Sequence, residues 1–148
     1  MKADAKTESE VLSSLNKHFK AYENRDLDAV LSLYAKDDGV IAYGSGADEK
    51  RVGLKEIKKQ IERDFEQSES VSVKIEWSSV SATGSVAWVA DDVSMAVKHE
   101  GREMRLPARF TGVLEKRDKR WYWMQSHFSL PAAGQAEGKY FPLKVKVK

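Results

Sequence analysis

The chain has 148 residues, 25 basic and 23 acidic side chains, a formal net charge of +2 and no cysteine. That length fits one domain able to bury about two-thirds of the surface its unfolded chain exposes, and the missing cysteines exclude disulfides, thiolate nucleophiles and cysteine-rich zinc sites. The two charge signs are interspersed, unlike the one-sided basic face of a nucleic-acid binder, and no apolar run approaches the length of a membrane span.

Residues 1–8 are polar and lack the apolar stretch of a secretory signal, so a cytoplasmic protein is the default expectation. Thr7 with Glu10 three residues later reads as a capping box opening a helix. Val11, Leu12, Leu15, Phe19 and Tyr22 then recur at helical spacing. Asn24-Arg25-Asp26 breaks the pattern. Asp26 is placed to cap a second, short helix with Leu27, Val30, Leu31 and Tyr34 on one stripe. Gly39 ends it, and Val40-Ile41-Ala42-Tyr43 reads as a short buried strand. Residues 44–48 form a loop. A third helix follows over residues 53–67, with Leu54, Ile57, Ile61 and Phe65 on one face.

After Ser68 the period changes to two. Val71, Val73, Ile75 and Trp77 alternate with polar residues, which predicts a half-buried strand. Further strands are expected over residues 86–98, 103–117 and 120–129, separated by turns at Thr83-Gly84-Ser85, Glu100-Gly101 and Asp118-Lys119. Short turns make these four strands an antiparallel meander. Three N-terminal helices packed on a curved antiparallel sheet define an α+β architecture. The domain is expected over residues 7–130. A basic tail, 131–148, carries Lys139, Lys144, Lys146 and Lys148 against Glu137. Its alternation of Val145 and Val147 with lysines suits an edge strand, an acidic surface or a frayed terminus.

Three segments resemble a known family. Leu15-Asn16-Lys17-His18-Phe19-Lys20-Ala21-Tyr22 followed by residues 25–38 is similar to the opening of SnoaL-like and ketosteroid isomerase-like domains. Residues 86–93 are similar to that family's central strand. Arg109-Phe110-Thr111-Gly112-Val113-Leu114, then Trp121 and His127-Phe128-Ser129, resemble the ending of the SnoaL-like branch. The resemblance covers roughly residues 8–130. It implies a cone-shaped, nuclear transport factor 2-like (cystatin-like) fold around a pocket, and a homodimer formed through the outer face of the sheet. That fold hosts isomerases, cyclases, dehydratases, hydrolases and non-catalytic association domains, so the fold does not choose among them. By the same resemblance, the steroid isomerase's general base falls at Ala42 and its protonated carboxylic acid at Ala108. Neither alanine holds a proton, which argues against that chemistry. The tyrosine position falls at His18.

Two strand residues stand out as candidate catalytic groups. His127 is expected on the face of Trp123 and Gln125, as an acid, base or donor in the pocket, or else as a sheet histidine satisfied by a neighbour. Arg109 interrupts a mostly apolar stretch. It suits a ligand carbonyl or carboxylate, or developing negative charge, or alternatively a salt bridge to Asp91 or Asp92. Tyr34, Tyr43, Trp88, Phe110 and His18 are candidates to line the pocket, with ordinary core packing as the alternative for each. His18, His99 and His127 lie on separate elements without ligand spacing, so no metal is expected. Gly44-Ser45-Gly46 lacks the Gly-Lys-Ser/Thr of a phosphate loop, and no cofactor is implied. The expectation is a pocket for a small, largely apolar ligand, with or without isomerase-, cyclase- or hydrolase-type catalysis; the alternative is a non-catalytic dimerisation module.

Overall fold

The computed structural model of the protein describes residues 1–142. The lysine–valine alternation at 144–148 lies outside the described residues.

Helix α1 runs Ala5–Glu23. It opens earlier than the expected capping box, because the Asp4 carboxylate accepts from the Thr7 backbone N–H at 2.8 Å and serves as the cap. Glu10 is drawn away to the sheet, where it receives Trp121 Nε1 at 2.8 Å and Lys116 Nζ at 2.9 Å. Helix α2, Leu27–Ser32, is capped by Asp26, which accepts from Ala29 N at 3.0 Å. The chain then forms β1 (Ile41–Tyr43) and β2 (Lys50–Val52) as a small antiparallel hairpin. Strand β2 was not expected; three residues with two basic side chains carry no readable period. Helix α3, Leu54–Gln67, follows Gly53, whose φ of 83° favours a residue without Cβ. Four long strands complete the domain: β3 (Ser70–Thr83), β4 (Val86–His99), β5 (Arg102–Arg117) and β6 (Arg120–Ser129).

The six strands lie in the order β2-β1-β6-β5-β4-β3. The long four form the expected meander, but β1 joins β6 in parallel, so the sheet is mixed. Only α1 and α2 precede the first strand; α3 is inserted after β2. The N-terminus adds to the edge of β3, where Ala3 N donates to Val80 O and Ala82 N to Met1 O. No helix among the described residues is long and apolar enough to cross a membrane.

Two register shifts decide which side chains face the helices. In β3 the shift falls between Ile75 and Trp77, and in β6 it falls opposite Val113/Leu114, leaving Met124 as the extra residue. A bulge interrupts the two-residue alternation, so side chains beyond it change faces. Trp77 is therefore turned outward and is 55% exposed, instead of continuing the face of Val73 and Ile75.

Trp123 precedes the β6 bulge and is fully buried. Its N–H donates to Leu33 O and its carbonyl accepts from Ala35 N. Its indole Nε1 donates to Ser14 Oγ at 3.1 Å. The ring lies over Gly112 of β5, where a Cβ would collide with ring carbon Cζ3 and stand 2.9 Å from the Gln125 carbonyl. The glycine is thus required by the indole, not by a turn. We predict that Gly112→Ala costs about 1–3 kcal/mol, the usual penalty for forcing atoms into a packed core. Thermal melting followed by circular dichroism would show a lowered midpoint; an unchanged midpoint would contradict this packing.

Candidate functional site

A cavity of about 340 Å³ lies between the helices and the inward face of the sheet. Its walls are chiefly apolar, with Phe19, Val30, Ile57, Ile61, Val73 and Phe110 among them. At its buried end the polar groups form a chain. His18 Nε2 lies 3.2 Å from the Tyr34 hydroxyl, which lies 2.9 Å from Ser126 Oγ. Helix α1 supplies the histidine, the exit of α2 the tyrosine and β6 the serine. The tyrosine is fixed because the backbone on both sides of it bonds to Trp123. The β6 bulge aims Ser126 inward.

His18 is only 6% exposed and is ringed by Phe19, Tyr34, Phe110 and Trp123, all within 5.9 Å between ring centroids. Burial in that aromatic shell lowers its pKa to about 4, so the ring is neutral at pH 7. Nδ1 has no hydrogen-bond partner. Burial pushes the Tyr34 phenol up to about 12, which keeps its proton in place. The chain is therefore a set of neutral donors and acceptors with one unsatisfied nitrogen.

The α3 wall is charged. Asp64 accepts from the Tyr22 hydroxyl and from Gln60 Nε2, the latter at 2.7 Å. Burial holds its carboxyl above the usual range, against the lowering effect of those two donors. Gln60 also donates to Glu49 at 3.3 Å and accepts from Arg51 Nε at 2.9 Å. Arg63 clasps the β1–β2 loop through Asp48 at 2.7 Å and Glu49 at 3.0 Å.

The structure brings together part of the expected site. His18, Tyr34 and Phe110 line the cavity, and Tyr43 lies at its edge, 40% exposed. Trp88, Arg109 and His127 do not line it. Trp88 alternates with the inward Ala87 and Val89, so it faces solvent. His127 lies beyond the Met124 bulge and is turned away from the face of Trp123; it is exposed and stacks against Tyr43 at 5.3 Å. Arg109 alternates with the buried Ala108 and Phe110 and points outward. Neither it nor His127 lines this cavity, and Arg109 instead borders a shallow hollow beside Asp92 and Pro107. The salt bridge offered for Arg109 is also missing among the described residues. Asp92 is its cross-strand neighbour, while Asp91 faces inward and accepts from Ser78 Oγ at 2.5 Å. Burial raises the Asp91 pKa to about 6. Ala42 lines the cavity, and Ala108 is buried on the inward face of β5.

Sequence reasoning missed Tyr22, Gln60, Asp64 and Ser126. Gln60 and Asp64 follow Ile57 and Ile61 at helical spacing, so polar residues interrupting an apolar stripe were the available signal. Nothing in the sequence marked Ser126, whose orientation depends on the bulge. Among the described residues, no group of three His, Cys, Asp or Glu side chains is placed to hold a metal ion.

A curved mixed sheet wrapped on three helices around a side-chain-lined hollow defines a pocket-bearing α+β domain of the nuclear transport factor 2-like, cystatin-like fold. The chain belongs to the SnoaL-like domain family, which matches residues 11–133. No curated protein matches it. Solved structures do. A nuclear transport factor 2-like superfamily protein from Salmonella enterica serovar Typhimurium is 14% identical, with a TM-score of 0.81 over 93% of this chain and 100% of the other. A proposed scytalone dehydratase from Novosphingobium aromaticivorans is 11% identical, with a TM-score of 0.76 over 88% and 95%. A proposed calcium/calmodulin-dependent protein kinase II association domain from Xanthomonas campestris is 21% identical, with a TM-score of 0.75 over 84% and 87%. At these identities the likeness establishes the fold alone.

His18 gives the site a measurable signature. Its folded pKa of about 4 lies below the ordinary value of 6.5. Between those values the unfolded chain takes up a proton that the folded protein refuses. The histidine's effect is therefore to lower stability as pH falls from about 6.5 to about 4, by on the order of 3 kcal/mol. Asp91 titrates in an overlapping window with the opposite sign, so the comparison must be with His18→Gln, where the Asp91 contribution cancels. We predict that denaturant midpoints of the two proteins diverge on acidification, the wild type falling faster. Parallel profiles would count against a buried, neutral His18.

Proposed function

We propose that the cavity binds a small, largely apolar molecule whose polar end meets the His18–Tyr34–Ser126 chain. The observation that carries this reading is a hollow with apolar walls and, at its buried end, one ring nitrogen without a partner. An unsatisfied buried polar atom costs stability, and a ligand oxygen beside it would remove that cost. A mostly apolar cleft with a few convergent polar groups is the usual form of a small-molecule site. The same neutral donors are suited to polarising a substrate oxygen in dehydratase- or isomerase-type chemistry. In this reading His18, Tyr34 and Ser126 take the roles that the sequence suggested for His127 and Arg109. The test is calorimetric titration with 4-phenylbutan-1-ol. Saturable one-site binding is expected, and it should be lost in Ala42→Trp, which fills the cavity from β1. Undiminished binding to the filled variant would defeat the proposal.

A second reading, compatible with the first, is self-association through the outer face of the sheet. It is favoured by Trp77 and Trp88, which face outward at 55% and 39% exposure. Large exposed apolar groups on one face are typical of interaction surfaces. Light scattering coupled to size exclusion should give twice the mass of the 16.7 kDa chain, reverting toward one chain in Trp77→Lys with Trp88→Lys. A wild type that elutes as a single chain at high concentration would reject it.

A further inference from the structure

We infer that the α3 wall of the cavity selects a ligand carrying a protonated amine, with Asp64 as the group that receives it. The inference rests on the pocket reading above and adds the charge of the ligand. Asp64 lines the cavity and is partly buried. Its hydrogen-bond partners are the neutral Tyr22 and Gln60, and it makes no ion pair among the described residues. Neither neighbouring guanidinium bonds to Asp64. Arg63 is held by Asp48 and Glu49. Arg51 donates to Gln60 and lies 4.0 Å from Glu56, which Lys59 also contacts at 2.9 Å.

The arrangement therefore leaves one carboxylate in the wall without a directly bonded positive partner, the Arg63 charge acting on it only as a minor effect. A partly buried charge with no counter-charge is destabilising, and a ligand cation is what would compensate it. An ammonium would also supply N–H donors, and bonds to a charged acceptor are the stronger kind. An anionic ligand would face the repulsion of Asp64 and of Glu49, which lies in the same wall. The apolar remainder of the cavity would hold a hydrocarbon or aryl body. The ligand class is thus a small primary or secondary amine with an apolar body, and its far end would reach the neutral His18–Tyr34–Ser126 chain.

Three probes of one shape separate the possibilities: 4-phenylbutylamine, 4-phenylbutan-1-ol and 4-phenylbutyrate, titrated calorimetrically at pH 7 into the full chain. The amine should bind about tenfold more tightly than the alcohol, the span of one charge-assisted hydrogen bond, and the carboxylate should bind most weakly. Asp64→Asn should bring the amine down to the affinity of the alcohol. Equal binding of all three by the unaltered protein, or preference for the carboxylate, would overturn the inference and leave the pocket reading standing. Binding of none of the three would overturn both. Because the ranking is read on the unaltered protein, the outcome does not depend on the variant folding.

Discussion

The packing of Trp123 is the constraint on which the rest of this structure depends. One fully buried tryptophan ties three other parts of the fold to β6. Its backbone holds the exit of α2 through Leu33 and Ala35, its Nε1 holds Ser14 of α1, and its ring occupies the space that Gly112 leaves open in β5. The consequences for the site are direct. Tyr34 lies between the two residues that bond to the Trp123 backbone. His18 lies one helical turn after Ser14, against the same indole. Ser126 comes just past the bulge that follows Trp123. The buried polar chain of the cavity is therefore positioned by a core contact, which gives it the rigidity that a binding site requires.

The sequence made the long elements legible. All three helices and the four long strands were readable from period and turn residues, because amphipathic stripes and Gly-containing turns report local structure directly. The hairpin partner β2 was not readable, since a three-residue strand has no period and its pairing with β1 is settled by tertiary contact. The candidate site was legible only in part. Tyr34 and His18 lay on or beside helical stripes whose inward direction followed from spacing, whereas Phe110 was legible only as a candidate aromatic, its face being decided by which side of β5 the helices cover. Trp77 and His127 failed for one shared physical reason: each follows a bulge that reverses the alternation. A bulge is set by how neighbouring strands register, which a single strand's sequence does not announce. Trp88 and Arg109 failed differently. In a strand with a small or aliphatic residue on either side, period two gives two faces but does not say which is covered, and here the helices cover Ala87 and Val89.

The cavity has two electrostatic regimes. Its buried end is neutral, because the aromatic shell around His18 excludes water and disfavours an imidazolium, and because the Tyr34 phenol keeps its proton. Its α3 wall is ionic, with carboxylates and guanidiniums linked through Gln60. In the proposed function such a division would orient a ligand: a charge would be received at the partly solvated wall, where desolvation costs less, and an uncharged oxygen or nitrogen at the buried end. Neither region is visible in the overall charge of +2, which averages over a mixed surface.

The proposed function requires that the hollow between α3 and the sheet be the place where a small molecule enters. Carbon-13 methyl NMR of the labelled protein, titrated with 4-phenylbutan-1-ol, addresses that claim most directly. The account predicts shift changes concentrated on the inward methyls of Val30, Ile57, Ile61, Val71, Val73 and Val97. Changes centred instead on the outward Val86 and Val113, or a spectrum that does not move, would contradict it.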